Sequence, residues 1–341
     1  MSREVRSQSE GIGELRLSAI TLEDVEAFMF AYRELHLPGK INAVSAIYRL
    51  YKEMKSKDLW LDNEDLRKNK DAILSALGMQ VISSNMMLIE DFVKMCYCMS
   101  RNILTIPITM ASYAQLRETE KFFEDSIAAE GDRAFIDTLH YLDENDLDAP
   151  DFAFLSQDDK KVVMRQHIQN ARALKHTYTY AVRVYETFSR AYNKHKHGHP
   201  FLFSMGFTQN APAPFDKLSP AIPYFADENN LRTAEPVFIG ELVLDKIHLL
   251  IEGGGGVFSL LRDLTTNVTL RCKCGGRKVM ATKGYGPPVL SEKEVQRFKE
   301  IVSEFEKRFI VDRTPKQLKL NINSNIKRTN WNYFDQDWTM K

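Results

Sequence analysis

From Ser156 to His197 the chain contains neither glycine nor proline and keeps an apolar stripe at helical spacing through most of its length. Val162, Val163, Ile168, Ala171 and Leu174 lead into Tyr178, Ala181, Tyr185, Phe188 and Tyr192, mostly steps of three and four that align side chains on one face. Ser156 supplies a short oxygen side chain for an N-cap, and Asp158 and Asp159 in the first turn favour the helix dipole. Gly198 tolerates positive φ and Pro200 cannot continue a helix, so the helix is expected to end just past His197. At about 1.5 Å per residue it is a rod of about 60 Å. A rod of that length with one apolar face has to anchor a bundle.

The 341 residues can bury a sizeable core, as one large or two modest domains. A formal net charge of zero argues against whole-molecule attraction to nucleic acid or anionic lipid. The charge is nevertheless segregated: Glu118 to Asp159 carries 14 acidic and 2 basic residues, and Lys160 to Gly198 carries 9 basic and 1 acidic. Two accounts fit this pattern. The segments pack side by side and neutralise, or the basic helix offers a surface to phosphates. No apolar run approaches the roughly 18 to 20 residues of a membrane span, and MSREVRSQSEGIGE has no apolar signal core, so no membrane partner and a cytoplasmic location are expected. Cys96 with Cys98, and Cys272 with Cys274, are C-x-C pairs, closer than zinc-knuckle spacing; reduced thiols are expected, with no metal and no cofactor.

Thr21 and Asp24 form a capping-box pair that opens a helix through Val25, Phe28, Met29 and Tyr32, with Pro38 and Gly39 as its stop. A second helix carries Val44, Ile47, Tyr48 and Tyr51. Helical spacing resumes from Asp65 to about Arg101, with Gly78 as the expected break and Met79 to Arg101 as a buried piece. Glu90 and Asp91 sit inside that apolar run. Either they meet a partner, for which an arginine of the basic helix is the candidate, or they face solvent. Met86, Met87, Met95 and Met99 read as pliable core filler. Beyond Pro107, helices are expected over about Ala111 to Ala129 and through Phe135, Leu139 and Leu142, and DENDLDAPDF as a loop. After Gly198 the proline-rich stretch to 233 suits short strands or an extended arm, PVFIGELVL and KIHLLI read as strands, and GGGG at 253–256 as a turn. Leu260, Leu261, Leu264 and Val268 read as helix. Ser291 with Glu294 opens another that runs to about Phe309.

Opposite the aromatic stripe of the long helix, Arg190, Asn193 and His197 share a second line. Metal-free RNA cleavage needs a proton acceptor and donor and a cation for the phosphorane, which an imidazole and an arginine supply, with a carboxamide to orient them. Arg190, Asn193 and His197 are therefore the candidate catalytic residues, with Lys194, His195 and Lys196 as candidate substrate-binding groups. One copy is sparse, and two meeting across a homodimer make a fuller site. His195, His197 and His199 would share a face only on a strand, so the helical reading disfavours them as a zinc set. A plain structural account also exists, because basic residues in a last turn suit the helix dipole and Glu186 with Arg190 is an ordinary i,i+4 pair.

The run Y-N-K-H-K-H-G, Tyr192 to Gly198, resembles the motif of HEPN-domain proteins, in which an arginine and an asparagine precede a histidine and often a glycine. Asn193, His197 and Gly198 match directly. Tyr192 stands where the adjacent arginine belongs, so Arg190 takes that place from one turn earlier. The resemblance covers about 79–198 and implies an all-helical domain there; with the helix and strand patterns the expectation is a mainly α protein, a HEPN-like helical bundle over residues 1–198 with its core at about 79–198, followed by a smaller α+β region over 199–341. It also implies a metal-independent, dimeric ribonuclease acting on RNA in a defence or toxin–antitoxin system. The other reading is a non-catalytic helical module that binds a protein partner.

Overall fold

The computed structural model describes residues 20–56, 64, 68–111, 135, 138–197, 207–209, 219–225, 234–285 and 288–310. It is mainly α-helical. Helix α1 spans Leu22–Ala31 and opens on the expected capping box, in which the Asp24 carboxylate accepts from Thr21 N–H at 2.9 Å and Thr21 Oγ1 accepts from Asp24 N–H at 3.2 Å. Pro38 and Gly39 do not stop it. The chain runs through a π-helical turn, Tyr32–His36, straight into α2, Leu37–Ser56. Within a regular helix Pro38 would crowd the carbonyl four residues back, that of Glu34, and remove one donor. The wider turn, closed by Leu37 N–H donating to the Tyr32 carbonyl, lies where that crowding would fall.

Helix α3, Lys70–Ser100, is the hub onto which α2 and four later helices pack. Gly78 does not break it. A Cβ built there would sit 3.3 Å from Ile239 Cδ1 and 3.6 Å from Leu244 Cδ1, so the glycine admits a close neighbour. By length and composition α3 alone among the described helices is apolar enough to cross a membrane, although here most of that apolar window is buried inside protein. A 3₁₀ turn (Ile103–Thr105) and the short α4, Ile106–Ala111, follow, with Pro107 harmlessly in a first turn. The helix expected over about 111–129 lies outside the described residues.

The DENDLDAPDF stretch is not all loop: it holds one turn of helix, α5 at Glu144–Leu147, and a 3₁₀ turn at Pro150–Phe152. Helix α6, Gln157–Lys196, is the expected uninterrupted rod, boxed by Ser156 and Asp159 and capped at His197, whose N–H donates to the Asn193 carbonyl at 3.0 Å. Its apolar stripe is buried from Val162 to Tyr192, save for the half-buried Ile168. Gly198 and Pro200 lie outside the described residues.

Strands β1 (Phe207–Gln209), β2 (Ser219–Phe225) and β3 (Ala234–Phe238) form an antiparallel sheet in that order. Ile222 and Tyr224 bury one face of β2, and Pro223 lies opposite Pro236 in the register. Of the strand expected in PVFIGELVL, Pro236–Phe238 belongs to β3, whereas ELVL and the strand expected in KIHLLI form one helix, α7, Glu241–Glu252. Val243, Leu244, Ile247 and Ile251 are buried at helical spacing, and alternation over a short apolar run did not discriminate. Gly253–Gly256 is a turn, as expected; Gly255 takes φ +77°, and a Cβ at Gly253 would lie 2.4 Å from the Leu249 carbonyl oxygen. Helices α8, Val257–Lys273, and α9, Glu292–Phe309, complete the described elements, the latter boxed by Ser291 and Glu294. Both α7 and α8 pack on α3, and α9 packs on α6.

Among the described residues several of the segregated charges are paired, some of them with distant partners. Asp148 meets Lys160; Asp143 and Asp146 hold Lys278 at 2.8 and 2.7 Å; Asp159 takes a two-pronged contact from Arg297 at 2.7 and 2.9 Å. The basic helix in turn meets Glu294 through Arg165. Cys96, Cys98, Cys272 and Cys274 are all free thiols.

Candidate functional site

Glu90 and Asp91 do not face solvent: they are 7% and 6% exposed, on the wall of a cavity of about 550 Å³ between α1, α3 and α6. Their partners are tyrosines and lysines, not an arginine of the basic helix. Asp91 accepts from the Tyr32 hydroxyl at 2.8 Å and from Lys40 Nζ at 2.6 Å, with His36 Nε2 3.9 Å away. Glu90 accepts from the Tyr192 hydroxyl at 3.1 Å, and Lys196 Nζ stands 3.7 Å from the same oxygen, Oε2. The other oxygen of Glu90, Oε1, is buried with no hydrogen-bond donor.

The π turn helps to build this wall. Phe28, Tyr32, His36 and Lys40 all line the cavity at steps of four. On a regular helix each such step overshoots a full turn by about 40°, and three would spread the side chains well apart. Across the wider π turn a step of four falls short instead, which cancels part of the drift. Tyr32 stacks against Phe28 at 6.4 Å and tilts over His36 at 5.2 Å. Burial and then the adjacent Asp91 hold the Tyr32 proton on well above the ordinary phenol range, so the hydroxyl is a donor and not a base. Burial, aided by Lys40 and opposed by Asp91, lowers His36 below the usual imidazole value.

The remaining wall is apolar and partly open. Met87, expected as core filler, is 40% exposed and lines the cavity with Phe28, Leu35 and Met110. The buried amine of Lys94 also borders it. A larger groove of about 930 Å³ runs between α6 and α7 beside Gly253–Gly256, but among the described residues its walls carry no buried polar atom lacking a partner.

The residues singled out in the last turns of α6 are dispersed. Arg190 is ion-paired with Glu235 of β3, whose second oxygen accepts from Tyr224 at 2.9 Å. His195 places Nδ1 2.9 Å from Ser83 Oγ on α3, and burial lowers its pKa. Lys196 enters the cavity, its ammonium 5.3 Å above the Tyr192 ring. Asn193 and Lys194 are half-buried, and Arg190 and His197 are exposed. The helix end thus reaches the cavity through Tyr192 and Lys196, while Arg190, Asn193 and His197 do not line it. Sequence reasoning missed Tyr32, His36 and Lys40. The available signal was the spacing Phe28, Tyr32, His36, Lys40 across Pro38, a proline that the helix had to accommodate.

Among the described residues no group of three or more histidine, cysteine or acidic side chains could hold a metal. Compared with known protein families, characterised proteins and solved structures, the chain gives no match.

Proposed function

We propose that this protein is a cytoplasmic, non-catalytic helical binding module whose ligand occupies the cavity between α1, α3 and α6. The observation that carries the reading is Glu90 beside Asp91, both buried on one wall, with Glu90 Oε1 lacking a donor. A cavity of this size that joins an apolar wall to a few fixed polar groups is the usual form of a small-molecule site. The polar groups orient and hold; the tyrosine hydroxyls and Lys40 are already donating to carboxylates, and no activated nucleophile stands among them. The test is a thermal-shift screen of small molecules on the full chain and on Met87→Trp, which fills the cavity from an exposed position. Ligand saturating at one hundred times its Kd stabilises by about 2.7 kcal/mol. Compounds that raise the Tm of the native chain but not of Met87→Trp are expected; a screen in which every hit raises both equally refutes the reading.

A second reading is supported by the spacing of Arg190, Asn193 and His197 along α6: a metal-independent HEPN-like ribonuclease that acts on RNA, completes its site as a homodimer and serves a defence or toxin–antitoxin system. There His197 is the acid or base, Asn193 orients it, and Arg190 leaves Glu235 to hold phosphate. Mixed RNA incubated in EDTA with the native chain and with His197→Ala decides it. Fragmentation by the native chain alone is expected; equal fragmentation by both removes His197 from catalysis.

A further inference from the structure

We propose that the ligand of the α1–α3–α6 cavity carries a cationic ammonium or guanidinium head on an apolar body, and that Glu90 receives that head. The inference rests on the reading of the cavity as a binding site and concerns which chemistry it selects.

The donors and acceptors in the wall are unevenly matched. Asp91 has two hydrogen-bond donors, the Tyr32 hydroxyl and Lys40. Glu90 has one, the Tyr192 hydroxyl, and Lys196 at 3.7 Å is beyond hydrogen-bond length. Glu90 Oε1 has none. A carboxylate offers about four lone-pair positions, and a buried acceptor left empty is costly, the more so when charged. The complement of this wall is therefore a group that brings donors. An ammonium brings three and a guanidinium five, each with the positive charge that makes the hydrogen bond to a carboxylate strong.

The rest of the ligand is set by the apolar part of the lining. Phe28, Leu35, Met87 and Met110 present aromatic, aliphatic and thioether surface without a formal charge. Methionine adapts its shape to the body it meets. Leu35 and Met87 are 75% and 40% exposed, so a ligand that covers them removes apolar surface from water. Lys196 becomes a competitor in this arrangement. Its ammonium stands 3.7 Å from Glu90 Oε2, beside the empty Oε1, and its side chain lines the cavity from the last turn of α6, so it places a positive charge where the ligand's head would sit.

The probes are hexylammonium, with hexanoate as the control of equal chain length and opposite charge, titrated by calorimetry into the full chain. Saturable binding of hexylammonium is expected, at least tenfold tighter than hexanoate. Glu90→Gln should weaken it at least tenfold, Met87→Trp should abolish it, and Lys196→Met should tighten it severalfold. Lys196→Met separates a competitor from a structural lysine, and it decides the matter if Glu90→Gln fails to fold by circular dichroism. The proposal is overturned if hexanoate binds as tightly, if Glu90→Gln folds and keeps its affinity, if hexylammonium still binds Met87→Trp, or if Lys196→Met weakens binding. Hexanoate binding that Met87→Trp abolishes would leave the cavity as a site and sink only the cationic head; a cavity that no compound of the screen occupies sinks the broader reading.

Discussion

Replacing Lys40 by methionine tests the Asp91 half of the cavity wall. Asp91 is buried and holds Lys40 at 2.6 Å, while the lysine side chain is 24% exposed. Methionine keeps the length of the aliphatic stem and deletes the charge, so the carboxylate stays buried without its cation. Removing one member of a buried ion pair costs roughly 3–5 kcal/mol. The Tyr32 hydroxyl still donates at 2.8 Å and retains roughly 1 kcal/mol of that. His36 at 3.9 Å is too far for a hydrogen bond and adds little. The expected net loss is about 2–4 kcal/mol, read as a lower urea midpoint with an unchanged slope, or as a Tm drop at about 2–4 °C per kcal/mol. Urea titration followed by circular dichroism at pH 7 measures it. The double variant Lys40→Met with Asp91→Leu should regain at least half of the loss, because no buried charge is then unpaired. A single-variant loss below about 1 kcal/mol, or a double variant no more stable than the single one, would refute the reasoning.

Three further outcomes follow from the geometry. Gly78→Leu should cost about 2–3 kcal/mol or more in urea titration, because the side chain would enter Ile239 and Leu244, while Gly78→Ala should stay within about 1 kcal/mol; equal stability of both variants would restore Gly78 as a helix break. Burial lowers the pKa of His167 from 6.5 to about 4, against the hydrogen bond to Leu142, and Ala281 N–H donates to its Nε2; its neutral form therefore contributes stability that is complete above 6.5 and is lost as pH falls through 4, by about 3 kcal/mol. His167→Gln should flatten that part of the stability–pH curve. Arg297, then the Ser156 cap, holds the Asp159 carboxyl at about 2 against 3.8, so Arg297→Ala should cost about 1–2 kcal/mol at pH 7, a loss that fades as pH falls toward 2; a pH-independent loss would mean packing alone.

The expected helix starts held where a reciprocal cap set them. Ser156 with Asp159, Thr21 with Asp24 and Ser291 with Glu294 are reciprocal caps formed within four residues, and each opens its helix where the sequence placed it. Where a long-range neighbour decided, the local rules misled. Gly78 signalled a break that the approach of Ile239 and Leu244 explains otherwise, Pro38 a stop that a π turn absorbs, and ELVL with KIHLLI two strands that packing on α3 makes a helix.

The cavity shows the same division. Glu90 and Asp91 stood out in the sequence as acids within an apolar run, and an unscreened buried carboxylate needs partners, so their pairing was legible in principle. Which partners was not. Tyr32 and Lys40 lie 59 and 51 residues from Asp91, and Tyr192 lies 102 from Glu90. By itself the sequence determined the 40-residue rod of α6, the capped starts of α1 and α9, and the mainly helical class, because helix periodicity and capping are interactions within a few residues. Only the tertiary structure decided that Tyr192 and Lys196 of that rod, rather than Arg190, Asn193 and His197, meet the buried acids of α3. Burial and charge pairing act through space, and which face of a helix meets which neighbour is fixed by packing that no local pattern records.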